Sequence, residues 1–406
     1  MPLYHGWKVV AACFVVAIVA WALGLFGSSV YLAALTAHHG WDVAAVASAI
    51  TVFLLTGASL QRAVAHGIAR FGPRPVLGAG AVSLCAGVAL LGMAAAPWQL
   101  YPCFILVGAG WATLSTSGIG ITVAPWFERH QGRSMTLAIM GASVGGIVGV
   151  PALLAAIAAL GLRGGLLAAA GAGLLLTLPL ILHILRHRGP ADIGALPDGA
   201  AGSTPAAAAP PPAAPRDAGL LLWSVATAFA LALTVQVGFI AHHLMLAMTV
   251  MAGADAALLV SATALAGLVG RLVLARIVDG VRVRLLAAAV MAAQAGALAA
   301  LWLHPAPATM VAASLVYGYA IGHVTTLAPV IVRREFGPQR FAAHYARAAT
   351  LIQFSSACGP WAFGALRGQW GGYAGVLAVA AAAALAAALI LVGAARRAAA
   401  RRDESA

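Results

Sequence analysis

Residues 9–35 read VVAACFVVAIVAWALGLFGSSVYLAAL and contain no charged side chain. About 20 apolar residues in an α-helix, at 1.5 Å per residue, cross a hydrocarbon layer about 30 Å thick. This stretch is therefore long enough to be a transmembrane helix. Because backbone amides that face lipid must be paired within their own segment, a helix is the expected form.

The same pattern recurs along the chain. The further predicted spans are 43–68, 75–95, 98–125, 134–160, 164–185, 219–247, 254–278, 285–303, 308–332, 342–366 and 370–394. With 63% hydrophobic and only 8% charged residues, the composition excludes a soluble two-domain protein. We predict an all-α polytopic membrane protein with twelve transmembrane helices.

The net charge of +13 arises mainly in the loops between the spans. Most of the 23 Lys/Arg residues fall in loops on one side, and only Arg163 and Arg367 fall in loops on the other. Such a bias places both termini in the cytoplasm and indicates topology rather than a nucleic-acid partner. Lys8 is the only lysine, as is typical of a GC-rich bacterial genome. We expect a multi-pass protein of the bacterial cytoplasmic membrane.

Residues 187–217, HRGPADIGALPDGAAGSTPAAAAPPPAAPRD, interrupt the hydropathy pattern. Their Pro, Gly and Ala content cannot supply a packed core, so they are predicted to form a flexible cytoplasmic linker. The linker separates an N-terminal six-helix lobe, 1–186, from a C-terminal six-helix lobe, 218–395, with a cytoplasmic tail at 396–406.

The two halves also repeat in sequence. Pairs that match in order are Asp42 and Asp255, Gly57 and Gly270, Arg133 and Arg347, and Gly145 and Gly359. Two parallel six-helix repeats imply a pseudo-two-fold axis along the membrane normal, with a binding site where the lobes meet.

This architecture resembles the major facilitator superfamily over the whole chain, and one loop strengthens the resemblance. RFGPRPVL at 70–77 is similar to the end of the signature G-x-L-x-D-R-x-G-R-R-P, with Ala69 in place of the aspartate. The second half keeps an acid at Asp279. The resemblance implies gating contacts between the lobes by Arg70, Arg74, Asp279 and Arg282.

Three further stretches resemble the branch of monocarboxylate porters and oxalate:formate antiporters. They are GWKVV at 6–10, WFERHQGR at 126–133 and LAIMGAS at 137–143. This branch has a substrate-binding arginine in span 8, and Arg271 matches its place. The branch lysine of span 11 is absent from TLIQ at 350–353, which favours a monocarboxylate over a dicarboxylate.

The resemblance implies secondary transport of a small organic anion by alternating access. The expected partners are that anion, a coupling proton and the lipid bilayer, and the chain is expected to act as a monomer. No cofactor is expected.

Arg271 is also a candidate on physical grounds. It lies about five residues, or roughly 7 Å, from the middle of span 8, where an ionisable group costs about 2.5–3.5 kcal/mol or more. All Asp and Glu residues lie in loops or at span ends. We predict that Arg271 faces a cavity and holds a carboxylate with its planar fork. The alternative is an arginine that snorkels to the cytoplasmic face.

Other polar side chains are predicted within the spans. His323 lies at nearly the depth of Arg271, and His242 lies in the outer half of span 7. Each is a candidate proton carrier, with hydrogen-bonded packing as the alternative. Gln353 in span 11 is a candidate hydrogen-bond donor to the substrate. Candidate lining residues, with apolar walls and polar tips, are Tyr31, Trp111, Thr113 and Tyr319.

Small residues in two spans indicate close helix packing. Gly141, Gly145 and Gly149 in span 5 have the spacing that lets helices approach closely in lipid. Gly359 and Pro360 are predicted to pack similarly in span 11, where proline also distorts the helix.

Besides anion transport, the residues leave two other classes of function open. Proton-driven efflux of a drug or metabolite is one, although cationic-drug exporters usually need buried carboxylates, which the predicted spans lack. A non-transporting receptor or sensor is the other, although a folded signalling domain is then expected. No P-loop, metal-ligand cluster or catalytic triad stands out, so we predict neither an enzyme nor a metal site.

Overall fold

The computed structural model describes residues 4–197 and 218–403, and this part of the chain is almost entirely helical. The chain forms two compact units, Met1–Ala206 (unit 1) and Ala207–Ala406 (unit 2). The helices of unit 1 are α1 His5–Leu23, α2 Gly27–His39, α3 Val43–Ser59, α4 Gln61–Phe71, α5 Pro73–Leu91, α6 Leu100–Leu114, α7 Thr116–Val123 and α8 Gln131–Ile184. Those of unit 2 are α9 Ala218–Ala247, α10 Gly253–Ile277, α11 Val283–Leu303, α12 Pro307–Ala357, α13 Gly359–Trp370 and α14 Tyr373–Asp403.

Two glycines divide the longest helices. Gly161 in α8 has φ 70° and ψ 172°, and Gly337 in α12 has φ 74° and ψ 164°. Glycine adopts such angles readily because it has no Cβ, so each position marks a sharp change of chain direction. As a result α8 contains predicted spans 5 and 6, and α12 contains span 10 and the start of span 11.

Several predicted spans are interrupted rather than straight. Span 1 is divided between α1 and α2, span 4 between α6 and α7 at Ser115, and span 11 between α12 and α13 just before Pro360. Span 2 bends by 46° between α3 and α4. Such interruptions in lipid need neighbouring groups to satisfy the freed backbone atoms.

The all-helical membrane fold predicted from the sequence is confirmed. Within the described ranges, nine helices are long and apolar enough to cross a membrane, or up to ten if α3 and α4 form one span. The twelve predicted spans fit these helices, because α8 is divided at Gly161 and the second half of α12 continues into α13.

Unit 1 is built around the contact between α1 and α8. Gly141, Gly145 and Gly149 of α8 lie directly against α1, where added Cβ atoms would overlap the Phe14 and Ile18 carbonyl oxygens and the Ala22 side chain. At one end of the unit the His5 ring nitrogen Nε2 is 3.2 Å from the Ile184 carbonyl oxygen. The start of α1 and the end of α8 therefore lie on the same side, as an even number of crossings requires.

Unit 2 has a core of buried apolar side chains from α9, α11, α12 and α14, including Phe229, Met291, Leu327 and Leu391. Gly359 lies against α9, where a Cβ would overlap the Thr234 carbonyl oxygen. The repeat pairs Gly145 with Gly359, and each packs against the first long helix of its own unit.

The first residues of the predicted linker make defined local contacts. Pro190–Ile193 forms a 3₁₀ turn, and the Arg188 backbone N–H donates to the Asp192 carboxylate at 2.7 Å. The Tyr4 hydroxyl, which donates to the Trp126 carbonyl oxygen at 2.8 Å, also lies 3.2 Å from the Leu196 carbonyl oxygen. Residues 187–197 thus contact Tyr4 and the end of α4 at single points, whereas residues 191–194 are exposed. Linker residues 198–217 lie outside the described residues.

Candidate functional site

The crossing of α10 and α12 in unit 2 consists largely of glycine. A Cβ on Gly270 would overlap the Tyr319 carbonyl oxygen and would lie 3.2 Å from His323 Nδ1. A Cβ on Gly322 would overlap the Gly267 carbonyl oxygen and would lie 2.7 Å from the Arg271 backbone nitrogen. The two helix backbones therefore touch here, near the middle of both predicted spans.

Arg271 lies at this crossing and is partly buried. Its Cγ is 3.1 Å from the position that a Cβ on Gly322 would occupy, so the base of the side chain packs against α12. Arg276, one and a half turns farther along α10, is exposed. The two arginines of one helix thus have different surroundings.

His323 faces the same crossing from α12 and is only 1% exposed. Its Nδ1 lies 3.0 Å from the Tyr319 carbonyl oxygen, and its ring centroid lies 4.8 Å from that of Tyr319. Since a carbonyl oxygen only accepts, Nδ1 is the donor in this contact. Tyr319 is 38% exposed.

Unit 1 contains the corresponding crossing without the ionisable groups. The repeat pairs Gly57 with Gly270, and a Cβ on Gly57 would lie 2.8 Å from Trp111 Cδ1. Trp111 therefore occupies the place that His323 has in unit 2, and Ala58 occupies the place of Arg271. The two lobes share a backbone arrangement but differ in polarity at mid-span.

The lining residues predicted in unit 1 lie among packed helices. The Tyr31 hydroxyl donates to the Leu23 carbonyl oxygen at 2.7 Å, which satisfies an acceptor freed where α1 ends. Thr113 Oγ1 donates to the Gly110 carbonyl oxygen at 2.7 Å and abuts Gly80 of α5. Trp111 is half-buried, with its ring centroid 4.8 Å from that of Trp21. Contact with a substrate stays a prediction for all three.

Gln353 and His242 lie in other segments of unit 2 than those that form the α10–α12 crossing. Gln353 is in the part of α12 after Gly337, and His242 is in α9. Gln353 follows the Gly337 break, has an exposed side chain, and accepts a hydrogen bond from Ser356 Oγ at its backbone carbonyl. His242 is buried, with Nδ1 2.9 Å from the Tyr373 hydroxyl and Nε2 3.0 Å from the Pro360 carbonyl oxygen. Both ring nitrogens of His242 thus have protein partners that join α9, α13 and α14.

Two of the predicted gating residues, Asp279 and Arg70, have contacts within their own units. Asp279 pairs with Arg334 at 2.9 Å, and this carboxylate is 94% exposed. The Arg70 carbonyl oxygen accepts a hydrogen bond from the Arg188 guanidinium at 2.9 Å. Arg74 and Arg282 are exposed. A role in gating stays a prediction for these residues.

Sequence reasoning missed the buried ion pair of Arg284 and Glu335. The guanidinium binds both carboxylate oxygens at 2.8 Å, and it also donates to Ser224 Oγ at 2.8 Å and the Leu221 carbonyl oxygen at 3.2 Å. Arg284 is a loop cation by position, and Glu335 lies just beyond the apolar stretch of span 10. The sequence signal that could have revealed the pair was Glu335 at the end of span 10 together with Arg284 at the start of span 9.

The fold and the site together define a class of protein. It is a helical membrane protein with two similarly built units and a polar helix crossing near the middle of the spans. The sequence matches the family model of the Major Facilitator Superfamily over residues 12–293. The chain belongs to this superfamily, and it is a transporter rather than an enzyme.

Solved structures of transporters match nearly the whole chain. A bacterial homologue of the human lysosomal transporter Spinster, inward-facing and occupied, has 14% identity and a TM-score of 0.66 and covers 98% of this chain and 96% of its own. A D-xylose–proton symporter has 14% identity and a TM-score of 0.70, covering 95% and 97%. A peptide transporter in complex with sulfate has 12% identity and a TM-score of 0.74, covering 96% and 95%.

At these identities the likeness concerns the fold alone. No curated protein sequence matches the chain significantly. The fold supports secondary transport by alternating access.

Proposed function

We propose that this transporter carries a small organic anion, a monocarboxylate, and that Arg271 binds its carboxylate. The observation that carries the proposal is the position of Arg271, partly buried near the middle of span 8 at a crossing where α10 and α12 touch. A guanidinium presents a planar set of donors that matches a carboxylate.

Electrostatics favours an anion at this place. A charge pair about 4 Å apart gains roughly 4 kcal/mol at an effective dielectric constant of about 20, and about 1 kcal/mol in water. An arginine within the membrane therefore attracts an anion more strongly than a surface arginine does. The repeat supports an asymmetric site, because Ala58 and Trp111 stand in unit 1 where Arg271 and His323 stand in unit 2.

We propose a proton as the coupling ion, with His323 as its carrier. The neutral ring donates from Nδ1 to the Tyr319 carbonyl oxygen, so Nε2 is the atom that takes the proton. Protonation adds a second positive charge beside Arg271 and strengthens the attraction for an anion. His242 is the weaker candidate, because both of its nitrogens already have partners.

Uptake into proteoliposomes tests the substrate class. The purified chain is reconstituted, and a panel of labelled monocarboxylates is compared with dicarboxylates, sugars and cationic drugs, each with and without an inward proton gradient. We expect accumulation of one or more monocarboxylates, increased by external acid. Accumulation of neutral sugars or cations alone would contradict the proposal.

A further inference from the structure

A groove in unit 1 shares only Thr113 with the candidate substrate-binding residues. It runs between α4, α5 and α6 and has a volume of about 530 Å³. Leu60, where the chain bends by 46° between α3 and α4, is one of the residues that line the groove. Its walls are mainly apolar and include Val64, Val76 and Ala79.

The hydroxyl groups that line the groove already have acceptors. Ser83 Oγ donates to the Leu106 carbonyl oxygen at 2.8 Å, and Thr113 Oγ1 donates to the Gly110 carbonyl oxygen at 2.7 Å. Their hydrogen bonds are made within the unit, so the groove is suited to a hydrocarbon chain rather than a polar solute.

One end of the groove is basic. Phe71 and Pro75 line it, and their chain neighbours Arg70 and Arg74 are exposed. The Arg70 guanidinium carbon lies 5.2 Å from the centroid of the Phe71 ring, and Phe71 is 58% exposed. The positive charge of Arg70 therefore lies beside the exposed apolar ring of Phe71 at this end of the groove.

α4, which forms the end of predicted span 2, is amphipathic and basic on one face. Arg62, His66 and Arg70 are exposed and recur every four residues, whereas Val64 and Ile68 are buried. Residues 61–91 contain no Asp or Glu. Basic amphipathic helices bind anionic lipid headgroups through such a face.

Asp192 is the acidic side chain near this cluster, and its carboxylate caps a local turn. Asp192 accepts a hydrogen bond from the Arg188 backbone N–H, and the Arg188 guanidinium donates to the Arg70 carbonyl oxygen. The guanidinium of Arg188 thus adds a further positive charge near Arg70.

We propose that the groove binds one acyl chain of an anionic phospholipid whose phosphate lies against Arg70 and Arg74. From Pro75 to Ser83 the α5 wall extends about 12 Å at 1.5 Å per residue, long enough for a substantial part of an acyl chain. The positive charges at the open end of the groove favour a negative headgroup, and the apolar walls favour an acyl chain.

Lipid binding to the full chain tests the proposal without any transported substrate. Purified protein in detergent is titrated with phosphatidylglycerol or with phosphatidylcholine of the same acyl chains, and bound lipids are counted by native mass spectrometry. We expect phosphatidylglycerol to bind at least ten times more tightly. The double variant Arg70→Gln/Arg74→Gln should weaken its binding about 30-fold, since each arginine near the headgroup contributes about a factor of five.

Matched variants distinguish lipid binding in the groove from the effects of general surface charge and of side-chain size. Arg282→Gln/Arg396→Gln removes two exposed arginines of unit 2 and should leave tight phosphatidylglycerol binding unchanged. Ala79→Phe narrows the groove and should reduce lipid binding, whereas Val82→Phe alters an exposed side chain of α5 that does not line it.

Equal binding of the two lipids would overturn the proposal. So would phosphatidylglycerol binding that survives both the double arginine variant and Ala79→Phe. Because the readout is bound lipid, either result leaves the proposed anion transport to be judged by uptake.

Discussion

At the scale of single residues, Arg284 and Glu335 form a partly buried ion pair that connects helices of unit 2. Arg284 is 8% exposed and Glu335 is 22% exposed, and their bidentate contact joins α11 to α12 while Ser224 and Leu221 add α9. A buried ion pair adds little net stability over apolar packing, but removal of one partner leaves a charge that is costly to bury.

Arg284→Ala should therefore destabilise the protein by about 3 kcal/mol, because it strands the Glu335 carboxylate. The measurement is thermal unfolding in detergent. Arg284→Met/Glu335→Leu, which removes both charges, should unfold closer to the wild type than the single variant does. A single variant as stable as the wild type would show that the pair is not buried in the folded protein.

The two histidines of unit 2 are expected to behave differently on substitution. His323→Gln should flatten the dependence of uptake on external pH, because the proposed proton site is lost. His242→Gln should keep that dependence and lower thermal stability, because the bonds to Tyr373 and the Pro360 carbonyl oxygen are disturbed. If neither substitution changes the pH profile, the proton travels on the substrate as the neutral acid.

At the scale of helices, glycine contacts determine which side chains meet. Gly270 and Gly322 let α10 and α12 touch, and this brings the backbone of Arg271 and the ring of His323 to the same crossing. Gly270→Ala should shift the crossing and lower the free energy of unfolding by about 1–3 kcal/mol, with a loss of uptake. Gly296→Ala in α11, where an added Cβ has no neighbour within 4 Å, is the matched control. Similar stability of both variants would contradict this picture of the crossing.

Span positions were predictable because their length and apolar composition follow directly from the thickness of the bilayer. The similar positions of Arg271 and His323 along spans 8 and 10 are predicted for the same reason. The 46° bend at Leu60 was not, since no proline marks it. The Arg284–Glu335 pair was not predicted either, because it joins helices far apart in sequence. The contacts of Tyr31 and Thr113 depend on breaks and helix approaches that composition does not reveal.

At the scale of the whole molecule, the arginine distribution predicts both termini and the linker in the cytoplasm. Ser203→Cys in the linker should react with a membrane-impermeant maleimide only after cells are permeabilised. Arg163→Cys, in a loop predicted on the opposite side, should react in intact cells. Reaction of the linker cysteine in intact cells would contradict the topology.

The central claim is that Arg271 binds the carboxylate of the substrate, and substrate binding to Arg271 variants tests it most directly. With the best monocarboxylate from the uptake panel, Arg271→Ala should lower affinity about 30-fold or more, since loss of one partner of a desolvated charge pair costs about 2–5 kcal/mol. Arg271→Lys should retain only part of the wild-type affinity, because an ammonium keeps the charge but loses the planar fork. Arg276→Ala, on the exposed end of the same helix, should bind as the wild type does. Wild-type affinity in Arg271→Ala, with only expression or stability reduced, would contradict the account.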